Sequence, residues 1–146
     1  MSNDTEWKDS NLFVEEGTWT PSINTIENAP PTVTNTAQIG TYRKIGDIVF
    51  ITFRLRGKIT ALTGTNNYGK VDGLPFPIKS GLSYCDIALN DHNNLFATGN
   101  KTNTSLAVNS KYNGLNMFVN EGTLEKIKVT DYTYFTLDGN GWYLTE

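Results

Sequence analysis

The amino-acid sequence predicts an all-β protein made of two packed antiparallel sheets, and three observations support this. The segment Gln38–Ile59 alternates apolar and polar side chains with the period of two that a half-buried strand requires. About ten short segments rich in β-branched and aromatic residues are separated by clusters of Asn, Asp and Gly, which is the spacing of a sandwich or barrel. No segment has the apolar repeat of an amphipathic helix.

The segment Gln38–Ile59 predicts a β-hairpin with Gly46 and Asp47 in its turn. One face of its second strand carries Val49, Ile51, Phe53, Leu55 and Ile59, and the other carries Thr52, Arg54, Arg56 and Lys58. The first four residues of that strand, Ile48–Ile51, are apolar on both faces. We therefore expect this end to be covered twice, by a second sheet on one side and by a neighbouring element or a second subunit on the other.

The 146 residues suit one domain, which we place at residues 12–146 after a flexible polar tail at residues 1–11. Within this domain Leu12–Val14 and Thr18–Ile26 look extended. Leu74–Ile78 is apolar but broken by proline, which favours a sheet edge or a packed crossover.

The second half of the chain predicts further short strands. They lie at Tyr84–Leu89, Leu95–Thr98, Ser105–Asn109 and Leu115–Val119. Tyr132–Leu137 and Trp142–Leu144 predict a final hairpin around the turn Asp138–Gly141. A helical turn is arguable only at Thr123–Lys128.

The composition argues against nucleic acid and membrane as partners. The formal net charge is -3, whereas neutralising phosphates requires clustered Lys and Arg. Arg54, Arg56 and Lys58 come closest to such a cluster, but alternate charges along one strand usually mark its solvated face. No apolar run approaches the roughly 20 residues that span a bilayer.

The sequence predicts no enzyme, no metal and no cofactor. The only histidine, His92, lies in a hydrophilic stretch that we expect to be a turn, and no nucleophile motif accompanies it. Cys85 is the only cysteine, so zinc ligands are too few. The acids suggest no particular pair for glycan hydrolysis. Asp138–Gly141 has the composition of a calcium loop but lacks the spacing to a bidentate Glu.

One glycine-rich segment bears on nucleotide binding. Gly64, Gly69 and Lys70 have the spacing of a phosphate-cradling loop. Val71 stands where a Ser or Thr should bind magnesium, and no helix is predicted to follow. A glycine-rich hairpin loop is the favoured interpretation, with nucleotide binding as the alternative.

Three sequence blocks resemble a known family. They are Glu16–Pro21 (EGTWTP), Gly40–Val49 (GTYRKIGDIV) and Asp72–Pro77 (DGLPFP). Their order and spacing are similar to those of the C-terminal domains of bacteriophage tail fibres and tail spikes, which read approximately GTWTP, GxYxKIGNxV and GLPF. The resemblance covers about the first half of the chain. Asp47 replaces the commoner Asn in the turn, and both residues suit such turns.

The resemblance implies a jelly-roll sandwich, similar to the tumour-necrosis-factor fold, that forms a parallel homotrimer at the end of an elongated viral appendage. It implies a virion tail protein assembled in the host cytoplasm, whose partners are its own copies and the rest of the appendage. One implied role is a trimerisation module, an intramolecular chaperone that in some appendages is released by self-cleavage. The other is a receptor-binding tip that recognises bacterial cell-surface glycan.

Each role has candidate residues. Subunit contact or core packing would use aromatic and aliphatic side chains, for which the candidates are Ile48, Phe50, Phe76, Phe118, Tyr132, Tyr134 and Trp142. A glycan site would use aromatic platforms with nearby amides, for which the candidates are Asn66, Asn67, Tyr68, His92 and Tyr112.

Overall fold

The computed structural model describes residues 13–26, 30–63, 68–81, 83–93, 104–111, 113–120, 124–126 and 134–146. These residues confirm the all-β prediction, since they contain ten strands, all paired antiparallel, and no helix. The strands are β1 (Val14–Trp19), β2 (Ser22–Thr25), β3 (Thr32–Ile45), β4 (Ile48–Ala61), β5 (Gly69–Asp72), β6 (Ser83–Asn93), β7 (Thr104–Asn109), β8 (Gly114–Asn120), β9 (Leu124–Lys126) and β10 (Tyr134–Leu144).

The strands form one curled sheet in the order β1-β3-β4-β10-β6-β7-β8-β5-β2, with β9 paired to β8. Strand β6 makes the curl, because Ser83–Ile87 pairs with β7 while Ala88–Asn93 pairs with β10. At the opposite side, Thr20 and Pro21 carry the chain directly from β1 to β2, which are the two ends of the sheet. The concave side of the curl therefore encloses the core.

The core confirms the predicted periodicity of β4. The five apolar residues of its inner face are buried, whereas Thr52 and Arg54 on the other side are exposed. Apolar side chains from the rest of the curl complete the core, among them Ile87, Leu106, Val108, Leu115, Leu137 and Tyr143. The β3-β4 turn is also confirmed, and Gly46 has a φ of 60°, which glycine adopts without strain.

The predicted final hairpin is wrong, because β10 is a single strand from Tyr134 to Leu144. Its two glycines make room for core side chains instead of forming a turn. A Cβ on Gly139 would lie 2.7 Å from Cζ of Phe53, and one on Gly141 would lie 2.6 Å from Cδ1 of Ile87. The arguable helical turn is also wrong, since strand β9 lies there.

The first two sequence blocks pair with each other across β1 and β3. Gly17 pairs with Tyr42 and Trp19 pairs with Gly40, so each aromatic ring lies over the glycine of the opposite strand. The third block joins them through Phe76, whose ring meets Tyr42 edge to face with centroids 5.2 Å apart. The three blocks therefore form one packing unit, although up to about 60 residues separate them in sequence.

Candidate interaction face

The convex side of the sheet β1-β3-β4-β10 is the candidate interaction face, which we call the outer face. Among the described residues, six large hydrophobic side chains are exposed, and strand register places five of them on this face. Their exposed fractions are 45% for Val14, 59% for Ile39, 44% for Phe50, 68% for Tyr134 and 44% for Trp142. Three of them, Val14, Phe50 and Trp142, lie in adjacent rows at one end of the face. Such a contiguous cluster marks an interaction site, whereas isolated exposed apolar residues are normal.

One end of the outer face, which we call the apolar half, consists of two rows that cross all four strands. The first row is Val14, Ile45, Ile48 and Leu144, and the second is Glu16, Arg43, Phe50 and Trp142. Glu16 and Arg43 form an ion pair. The apolar half therefore carries no net charge, and two such surfaces can approach without like-charge repulsion.

The other end, which we call the basic half, consists of Arg54, Arg56, Lys58, Tyr134 and Asp138. Nε of Arg54 and Nη2 of Arg56 each lie 3.3 Å from Oδ2 of Asp138, while Nζ of Lys58 lies 5.1 Å from the centroid of the Tyr134 ring. Two of these three cations thus contact Asp138, and the backbone of a further acidic residue, Asp91 of β6, lies opposite Asp138. Asp138 is largely covered, with 16% of its side chain exposed, whereas 54% of the Arg54 side chain is exposed.

Two shallow depressions lie on the outer face, the larger reaching Arg43 and Phe50 of the apolar half and the smaller reaching Arg54 and Asp138 of the basic half. The larger, of about 740 Å³, is lined on the outer face by Thr18, Thr41, Phe50 and Thr52, and the hydroxyls of Thr41 and Thr52 are 2.6 Å apart. The smaller, of about 510 Å³, has Ile39, Arg54, Asp138 and Asn140 among its lining residues. The middle of the face therefore offers hydroxyl, amide, carboxylate and guanidinium groups beside apolar ones.

The structure places five of the seven candidates for subunit or core contact. Phe50, Tyr134 and Trp142 are exposed on the outer face, and Ile48 is half-buried there. Phe76 packs against the core. The backbone of Phe118 lies in β8. The side chain of Phe118 and the whole of Tyr132 lie outside the described residues.

The glycan candidates are only partly described. His92 was expected in a turn but lies in strand β6, opposite Leu137 of β10. Tyr68 is half-buried and its carbonyl accepts a hydrogen bond from the amide of Ile26, 2.9 Å away. Asn66, Asn67, Tyr112 and the side chain of His92 lie outside the described residues. Tyr68 precedes β5 and His92 lies in β6, and β7 and β8 separate these strands in the sheet.

The candidates for a nucleotide loop lie in a strand. Gly69 and Lys70 belong to β5 and pair with β2, and Nζ of Lys70 lies 3.0 Å from Oδ1 of Asp72. Gly64 lies outside the described residues. An ordinary strand with its ammonium already paired to a carboxylate is a poor match for a loop that cradles phosphate.

Two tyrosines have raised pKa values. Burial raises the pKa of Tyr143 to about 12, although a hydrogen bond with the backbone of Phe76 lowers it slightly. Burial also raises the pKa of Tyr42, with smaller contributions from its hydrogen bond to Glu15 and from the charge of that carboxylate. Both hydroxyls remain protonated at neutral pH and hold structural contacts.

The described part of the chain holds no cluster of three His, Cys, Asp or Glu side chains suited to a metal ion. It also contains no helix with the length and hydropathy needed to cross a bilayer.

The sequence indicated one half of the outer face and missed the other. Because Ile48–Ile51 is apolar on both sides, its outward face was expected to be covered. The sequence predicts a solvated face for Arg54, Arg56 and Lys58, because charges at alternate positions of one strand usually mark one, and it separately predicts a turn at Asp138. Only the pairing of Asp138 with Arg54 across β4 and β10 brings these charges together.

No protein-family model matches the chain, and comparison with curated proteins and with solved structures gives no match either.

Proposed function

We propose that this chain is the C-terminal trimerisation module and intramolecular chaperone of a bacteriophage tail appendage, with a jelly-roll fold. The contact between copies is the apolar half of the outer face. The observation that carries the proposal is that Val14, Phe50 and Trp142, three of the six large hydrophobic side chains exposed among the described residues, lie in the two adjacent rows of the apolar half. A cluster of exposed apolar side chains on one face of a single chain favours a protein partner.

A second copy of the same chain suits this face better than an unrelated protein does. The charges of the apolar half are already paired within the chain, so contact with an identical surface leaves no buried charge without a partner. Phe50 and Trp142 are direct neighbours across β4 and β10 and supply the kind of adjacent aromatic anchors that subunit contacts use. In a trimer, three copies of the apolar half would meet about a threefold axis, with one side of each patch contacting the other side of the next, and this closes the assembly as a ring.

The three sequence blocks support placing the domain in a tail appendage. They resemble the tail-fibre family in order and spacing, and here they pack against one another around Tyr42. Because these three blocks are distant in sequence but pack against one another, their joint presence indicates one particular fold. The virion tail, after assembly in the host cytoplasm, is the location that this proposal implies.

The physical role of such a module follows from chain entropy. In a fibrous β-shaft most contacts are between chains. Three chains must therefore lose entropy by coming together before strand pairing in the correct register can stabilise them. A compact domain that trimerises at one end supplies that proximity.

Fusion of the domain to a β-structured shaft fragment of a phage tail fibre tests the chaperone role. The native domain should increase the yield of soluble trimeric shaft, and a Phe50→Ser/Trp142→Ser fusion should not. Tyr134→Ser is the matched control, since Tyr134 is also exposed on the outer face but lies outside the apolar half. Equal yields from the native fusion, the double variant and the shaft alone would contradict the proposal.

A receptor-binding tip is the second candidate function, and the smaller depression favours it. Its lining combines Asn140, Asp138 and Arg54 with the apolar Ile39, which is the mixture of groups that sugar recognition uses. A domain that is absent from mature virions would support the chaperone, whereas one that remains and binds host cells would support the tip.

A further inference from the structure

We propose that Lys70 and Asn116 join spontaneously through an isopeptide bond between their side chains, with Asp72 carrying the protons. The bond is an amide from Nζ of Lys70 to Cγ of Asn116, and it links β5 to β8. This inference does not depend on the assembly role, because β5 and β8 lie outside the four strands of the outer face.

Strand pairing places the two reacting side chains next to each other. Lys70 and Asn116 are direct partners in the register of β5 and β8. Partners of this kind have Cβ atoms about 4.5–5.5 Å apart, and the flexible four-carbon stem of a lysine can cover such a distance. Both side chains leave the sheet on the side away from the core, since the next residues along, Val71 and Leu115, belong to the core.

Gly114 leaves room for the Lys70 side chain to lie over β8. A Cβ on Gly114 would be 3.1 Å from Cδ of Lys70 and 2.9 Å from Oδ1 of Asp72. Nζ of Lys70 lies 3.0 Å from the same Oδ1, while Oδ2 of Asp72 accepts a hydrogen bond from Nδ2 of Asn24 at 2.6 Å. The carboxylate is thus held against the ammonium on the side of the sheet that carries Asn116.

The side chain of Asn116 is the strongest indication of a reaction. Asn116 is 0% exposed, and within the described part of the chain neither its Nδ2 nor its Oδ1 has a hydrogen-bond partner. Burying an unpaired amide is costly, and most buried polar groups in folded proteins are paired. The isopeptide bond removes this cost in part, because Nδ2 leaves as ammonia. The side chains of Lys70 and Asp72 are also largely covered, with 14% and 23% exposed, so little water competes with the amine.

The reaction balances without an oxidant or a further reactant. Asp72 accepts one proton from the Lys70 ammonium and so generates the neutral amine, which attacks Cγ of Asn116. The Nζ–Cγ bond forms and the Cγ–Nδ2 bond breaks. The departing nitrogen takes one proton from Nζ and the proton stored on Asp72, and it leaves as ammonium. Holding the amine and the amide together in the folded sheet supplies the proximity that the reaction lacks in free solution.

Intact-mass spectrometry of the purified native chain tests this inference. We expect a mass lower than the value for the sequence by one molecule of ammonia. Digestion with trypsin should release a branched peptide in which the segment containing Lys70 is joined to the segment containing Asn116. In denaturing electrophoresis the native chain should migrate faster than an unlinked chain, because the bond keeps a closed loop in the unfolded state.

Variants identify the reacting groups. Lys70→Arg keeps the positive charge but removes the nucleophile, and Asn116→Ala removes the carbonyl group that it attacks. Both should have the full mass of their own sequences and should migrate more slowly than the native chain. Asp72→Asn should leave most of the chain unlinked. The control Lys79→Arg changes another lysine, which is exposed, and should lose ammonia as the native chain does.

A competing source of ammonia loss is the cyclisation of an Asn–Gly sequence, and the chain has two, Asn113–Gly114 and Asn140–Gly141. Cyclisation does not need Lys70 and gives no branched peptide. A native chain with the full sequence mass, a loss of ammonia that persists in Lys70→Arg, or the absence of the branched peptide would each overturn the inference. Because the branched peptide is sought in the native chain, the test holds even where a variant fails to fold. Phe50→Ser/Trp142→Ser should still lose ammonia, so failure of assembly and failure of cross-linking are observed separately.

Discussion

At the scale of single residues, glycine and aromatic side chains act as pairs in this fold. Trp19 lies over Gly40, and its indole nitrogen lies 3.2 Å from the carbonyl oxygen of Thr41 and 3.3 Å from that of Thr52. Tyr42 lies over Gly17 in the same way on the opposite strands. Each ring fills the space above a glycine that has no side chain. Changing either the aromatic residue or the glycine alone should therefore disrupt the packing.

Gly40→Ala should lower the free energy of unfolding by about 1–3 kcal/mol, the usual range for forcing an extra methyl group into a packed site. The new Cβ would lie 2.5 Å from the indole nitrogen of Trp19 and would displace the ring. Chemical denaturation measures the change. Thr18→Ala, on the exposed side of β1, is the control and should shift stability by no more than about 0.5 kcal/mol.

The ionisation of Tyr143 should make the domain less stable at alkaline pH. Its hydroxyl donates to the carbonyl oxygen of Phe76 at 2.9 Å and accepts from the amide of Phe76 at 3.2 Å. Its pKa is raised to about 12 in the folded state, from 10.0 for an ordinary tyrosine. The folded state thus holds the proton more tightly than the unfolded state does.

The contribution of this raised pKa to the free energy of unfolding is fully present below about pH 10, and it is lost as pH rises towards about 12. Urea denaturation should show falling stability across this window. Tyr143→Phe should be less stable at neutral pH and should fall less steeply, because it lacks the ionisable group. Parallel pH profiles for the two proteins would contradict this assignment.

At the scale of whole elements, strand β10 shows what a sequence can and cannot predict. Strand β4 was predicted correctly because alternation is a local property of the chain. The segment Asp138–Gly141 has the same local composition as a hairpin turn, and nothing local reveals that Phe53 and Ile87 fill the space above its glycines. The basic half of the outer face was missed for this reason, since it exists only through the pairing of β10 with β4.

Gly139→Ala distinguishes a strand from a turn at this position. In the observed strand the new Cβ would meet the Phe53 ring at 2.7 Å and the carbonyl oxygen of Ala88 at 2.9 Å, and the backbone atom cannot easily move. We expect a loss of about 1–3 kcal/mol in thermal unfolding. Asn140→Ala, which points to the exposed side, should have little effect, whereas a hairpin turn would depend on both residues.

At the scale of the whole molecule, the outer face separates two kinds of chemistry. The apolar half is neutral and rich in aliphatic and aromatic side chains, while the basic half carries Arg54, Arg56 and Lys58 beside Asp138. Copies that associate through the apolar half would keep the positive ends free of each other, because like charges in contact are costly. Association through the apolar half would therefore leave the basic half accessible.

The mass of the chain in solution tests the central claim most directly. Light scattering should be recorded over a range of concentrations down to about the micromolar level at which weak associations separate. We expect a persistent trimer, three times the 16.2 kDa of one chain, that becomes a folded monomer in Phe50→Ser/Trp142→Ser and stays a trimer in Tyr134→Ser. A native chain that is monomeric throughout, or a double variant that remains trimeric, would contradict it.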